Sequence, residues 1–68
     1  MTKKEVAKII KEKKEIELLE LEITEQWTSR KILVDGRKNL EIILGRIQSQ
    51  KKETKEFIDF LNEIIEKN

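Results

Sequence analysis

From Leu40 onward the apolar side chains return every three or four residues without a slip. Leu40, Ile43 and Ile47 are followed at the same spacing by Gln50 and Thr54, and then by Phe57, Leu61 and Ile64. An α-helix turns once per ~3.6 residues, so all eight positions fall on one face, and Leu44, Ile58 and Ile65 widen that stripe. The chain has no proline and only two glycines, Gly36 and Gly45, so nothing forces frequent breaks. The spacing predicts a long amphipathic helix over about residues 39–66. Its waist at Gln50 and Thr54 lacks an apolar anchor, which makes that stretch the place for a kink.

The first half is also helical in period but apolar on two sides. Val6, Ile9, Ile16, Leu19, Ile23, Trp27 and Val34 share one face, while Ile10, Leu18, Leu21 and Ile32 fall nearly opposite. A helix of this kind, over about residues 3–34, needs two neighbours. The second helix of the chain supplies one and a second subunit the other, so an all-α antiparallel hairpin that dimerises into a four-helix bundle is the expected architecture. A chain of 68 residues forms a single domain with a thin core, and chains this short without staples gain stability by self-association. The stripe of Ile10, Leu18, Leu21 and Ile32, together with Trp27, is the expected self-association or partner surface.

Between the halves, Gly36 stands where a helix C-terminus needs a left-handed residue, and Asp35 or Asn39 is placed to cap the next helix, which puts the turn at about residues 35–38. Asp35-Gly36 is also a good two-residue β-hairpin turn, so a small α+β domain with strands over 15–24 and around 30–44 is the rival fold. Its alternation fails at Leu18-Leu19 and at Ile42-Ile43.

Charge blocks test the helical hairpin independently. Antiparallel helices joined near residue 36 bring together positions whose numbers sum to about 72. Residues 1–14 hold six Lys and two Glu and lie opposite Glu56, Asp59, Glu63, Glu66 and Lys67; the acidic run Glu15, Glu17, Glu20, Glu22 and Glu25 lies opposite Arg46, Lys51, Lys52, Glu53 and Lys55. Exposed pairs contribute about 0.2–1 kcal/mol each, too little to hold the fold but enough to disfavour a wrong register.

Function classes narrow by elimination. Without cysteine or histidine the chain offers no disulfide, thiolate or imidazole metal site, and none of the hydroxyls of Thr2, Thr24, Thr28, Ser29, Ser49 and Thr54 has a histidine to activate it. Neither glycine belongs to a phosphate-binding cluster. We expect no catalytic residue, no cofactor and no metal. The longest apolar runs are three residues, Ile32–Val34 and Ile42–Leu44, and lysines interrupt the N-terminal segment, so a cytoplasmic protein without a membrane span or signal core is expected. What remains is surface. A non-enzymatic regulator or adaptor working through helix faces is the leading expectation. A nucleic-acid-binding regulator is the alternative, with Arg30, Lys31, Arg37 and Lys38 around the turn as candidate phosphate contacts. A net charge of +1 and only three aromatic rings, Trp27, Phe57 and Phe60, weigh against the alternative. Gly45, inside a helix, suggests close approach of a neighbouring helix.

Overall fold

A computed structural model describes residues 1–67. Two helices, α1 (Lys3–Asp35) and α2 (Leu40–Lys67), pack against each other, and no strand occurs among the described residues. The all-α hairpin therefore replaces the β-hairpin alternative. Asp35 closes α1, and Gly36 follows in the left-handed conformation (φ 64°, ψ 26°), its N–H donating to the Ile32 carbonyl at 3.0 Å. Asp35 stays helical and the Gly36 N–H closes the last turn of α1, so the pair does not form the two-residue hairpin turn, which needs both residues left-handed.

At the other end, Thr2 is extended and its Oγ1 accepts from the Glu5 backbone N–H at 3.2 Å, while its hydroxyl donates to the Glu5 carboxylate at 3.3 Å. Thr-Lys-Lys-Glu thus works as a helix-start box, a signal present in the sequence. Helix α2 starts differently. Backbone bonds from Leu40 N–H to the Arg37 carbonyl and from Glu41 N–H to the Lys38 carbonyl wind the chain into it. The Asp35 carboxylate does not cap it, because it faces Lys31 at 3.5 Å and Arg37 at 3.9 Å, and the Asn39 side chain makes no hydrogen bond among the described residues.

The seam between the helices is read from burial. On α1 the covered positions include Ala7, Ile10, Lys14, Leu18, Leu21, Glu25, Thr28 and Ile32; on α2 they include Leu40, Leu44, Ile47, Lys51, Thr54, Ile58, Leu61 and Ile65. Both series advance in steps of three and four, averaging ~3.6 residues, which keeps one stripe facing a neighbour along a long helix. Only Ala7, Thr28, Ile47 and Leu61 are buried outright, and no large side chain among the described residues is fully enclosed. The hairpin is a rod, 49 × 14 × 14 Å in its Cα trace with a radius of gyration of 15.5 Å. A compact chain of this length would have about 11 Å.

The waist of the seam is polar and unbroken. Lys51 Nζ reaches Glu25 Oε1 across the helices at 3.2 Å, and the buried Thr28 hydroxyl donates to the Thr24 carbonyl at 2.8 Å. Partnered in this way, these groups avoid the cost of unmatched polar burial, and α2 continues as helix through 50–54 without a break. The register is the expected one to within a helical turn: Lys14 sits over the Phe57 ring, and Glu25 of the acidic run meets Lys51 of the basic block opposite it. Gly45 faces outward, and a Cβ built there meets nothing within 4 Å, so close helix approach is not the reason for it.

Candidate interaction surface

The two stripes of α1 have unequal environments. Ile10, Leu18, Leu21 and Ile32 lie half-buried on the side that carries Ala7 and Thr28, toward α2. The other stripe points away from it. Ile16, Leu19, Ile23 and Trp27 are 57–67% exposed and Val34 is 75% exposed, with Val6 and Ile9 more sheltered at its N-terminal end. Ile9, Ile16 and Ile23 recur every seven residues, and Leu19 follows Ile16 by three, so the outward stripe has the same long-range period as the seam.

Trp27 is the largest ring on this face. Lys31 Nζ lies 5.6 Å from its centroid, within cation–π range. A shallow depression of about 240 Å³ opens between Ile23, Gln26, Trp27 and Arg30. A second apolar concavity, about 370 Å³, lies at the far end of the rod where Val6, Ile10, Phe57, Phe60, Leu61 and Ile64 converge. There the Phe57 and Phe60 rings stack with centroids 6.4 Å apart, and Lys14 Nζ sits 5.6 Å from the Phe57 centroid.

The residues expected at the basic turn lie close together in sequence but differ in their electrostatics. Lys31 and Arg37 flank Asp35, which offsets part of their charge, whereas Lys38 is exposed in the turn and Arg30 lies on α1 beside the Trp27 depression. Among the described residues no group of three carboxylates converges in a way that could hold a metal ion. Glu17, Glu20 and Glu53 line an open groove of about 420 Å³ with Leu21, Thr24, Gln50 and Thr54, a lining without a basic group or a nucleophile–base pair. No described helix is long and apolar enough to cross a membrane.

No family model, curated protein or solved structure matches this chain.

Sequence reasoning named the residues of both stripes but assigned the surface role to Ile10, Leu18, Leu21 and Ile32, which lie on the seam. It did not single out Ile9, Ile16, Leu19, Ile23 or Val34. Hydrophobicity alone ranks these as the better core, and the signal that corrects the ranking is polar. Lys14, Glu25 and Thr28 fall in register with Ile10, Leu18 and Leu21, and each has a partner on that face: the Phe57 ring, Lys51 and the Thr24 carbonyl.

Proposed function

We propose that this protein is a small non-enzymatic regulator or adaptor that acts by helix-face recognition, and that the first surface it recognises is its own. The reading rests on one observation: the outward stripe of α1, from Ile16 to Val34, is the more continuous apolar face of that helix, yet α2 leaves it uncovered. Exposed apolar surface organised along a helix marks an interaction site, where scattered apolar residues would not. The partner role expected of Ile10, Leu18, Leu21 and Ile32 passes to this stripe, and Trp27 keeps its place in it. Two hairpins joined there form a four-helix, coiled-coil-like dimer.

Light scattering over a concentration series tests the reading with the Ile16→Glu/Ile23→Glu variant. Wild type reaches the mass of a dimer, and the variant stays monomeric with unchanged helical circular dichroism. A variant that associates like wild type would contradict it. Salt-sensitive binding of an RNA or DNA duplex that disappears on Arg37→Ala/Lys38→Ala would replace it with the nucleic-acid reading.

A further inference from the structure

We infer that two copies of the hairpin pair antiparallel through the outward stripe of α1, about a two-fold axis that passes beside Ile23. The inference rests on the self-association proposed above and adds the face, the direction and the register.

The charges beside the stripe suit a second copy of the same chain. The outward stripe is flanked by Lys8 and Lys13 near the N-terminus, by Glu15, Glu17, Glu20 and Glu22 in the middle and by Arg30 and Lys31 toward the turn. A parallel in-register pair of the Ile9, Ile16, Ile23 heptads would set Lys8 beside the partner's Lys13 and Glu15 beside the partner's Glu20, like against like on both flanks. An antiparallel pair centred near residues 19–20 is no better, since on one flank Lys8 then meets the partner's Arg30 and Glu15 the partner's Glu22. Moving the axis to Ile23 replaces those conflicts with two kinds of attractive pair, against which stand only Lys13 near the partner's Lys31 and Glu22 near its own copy. Glu15 comes beside the partner's Arg30 and Glu17 beside the partner's Lys31, and the two-fold repeats both pairs.

The apolar residues fit the same register. Ile23 packs on its own copy, Leu19 arrives at the partner's Trp27, and Ile16 lies along the aliphatic stem of the partner's Arg30. The depression between Ile23, Gln26, Trp27 and Arg30 is then the seat for the partner's Leu19. The overlap covers residues 11–35, roughly 37 Å of helix. Within one hairpin Glu17 pairs with Lys14 at 3.0 Å and Lys31 with Asp35 at 3.5 Å, both partly exposed and weak enough to rearrange, while Glu15 and Arg30 make no ion pair among the described residues.

Single-cysteine cross-linking reads the arrangement directly, because the chain has no cysteine of its own. Ile23 is 67% exposed in the hairpin, so Ile23→Cys leaves the fold intact. At the axis it meets its own copy within disulfide reach, whereas Ile9→Cys stands about 42 Å from its copy. Phe60→Cys reports pairing through α2 instead. We expect a dimer by light scattering and oxidative cross-linking of Ile23→Cys at least about tenfold faster than of Ile9→Cys or Phe60→Cys. Equal rates at Ile9 and Ile23 would mean a parallel pair, and preferential cross-linking at Phe60 a different face. Either overturns the inference while leaving self-association standing. A monomer at every concentration overturns both. As a check on register, Glu15→Arg/Glu17→Arg weakens the dimer at least about tenfold, and adding Arg30→Glu/Lys31→Glu to it restores the affinity. Failure of that restoration would refute the axis at Ile23.

Discussion

The two long faces of α1 differ in a direction opposite to what burial rules suggest. The face against α2 carries Ala7, Lys14, Glu25 and Thr28 among its apolar positions, and the face against solvent carries Ile16, Leu19, Ile23 and Trp27. A helix free to choose one neighbour would turn its greasier side inward. Here the inner side is chosen by matching. Glu25 finds Lys51, Thr28 bonds back to Thr24, and small Ala7 sits buried beneath the end of α2 where Leu61 is also buried. The outer side has apolar area without such local partners. Specificity within the chain and affinity between chains are thus separated onto opposite faces of one helix, and the slender rod follows from asking a single seam to hold the monomer together.

The sharpest way to break this comparison is to put charges on the inner face. Leu18→Glu/Leu21→Glu replaces two half-buried leucines of the seam by carboxylates and removes the apolar contacts at its middle, at a cost of several kcal/mol, a large part of the stability of a small domain. Helical circular dichroism at room temperature should collapse, in contrast to the Ile16→Glu/Ile23→Glu pair, which keeps it. Equal loss of helicity in both variants would mean that the two faces contribute alike to the monomer. The two glycines sharpen the account on a smaller scale. Gly36→Ala forces a Cβ into the left-handed cap and should lower stability by about 1 kcal/mol. Gly45→Ala, with open space around its Cβ, should raise it by about 0.5–1 kcal/mol. Urea denaturation of the three proteins side by side reads both shifts. A destabilising Gly45→Ala would mean that something packs on that side of α2.

Much of the hairpin was legible in the residues. The steps of three and four from Leu40 to Ile64 and the glycine at 36 lead to two helices and a reversal, because periodicity and a left-handed cap are local properties of the chain. The fine register of the seam and the orientation of α1 were not. Both depend on which polar groups meet, and the Glu25–Lys51 contact spans 26 residues of sequence. The outward stripe was visible as a set of positions, yet its exposure was not, since ranking by hydrophobicity cannot weigh a buried threonine that bonds to its own backbone. Trp27 was read from either direction as a contact residue, because a large ring on a helix of this kind has work to do on whichever face it lies.

Trp27 is the chain's only tryptophan and is 57% exposed in the hairpin, so its fluorescence reports on the outward stripe without interference. The most direct test is the Trp27 emission maximum across a dilution series from nanomolar to near-millimolar protein, with mass followed by light scattering on the same samples. If the outward stripe is the contact surface, emission is water-like when the protein is dilute and moves to the blue in step with the doubling of mass. A doubling of mass with emission that stays water-like throughout would place the contact elsewhere and contradict the division of labour between the two faces of α1.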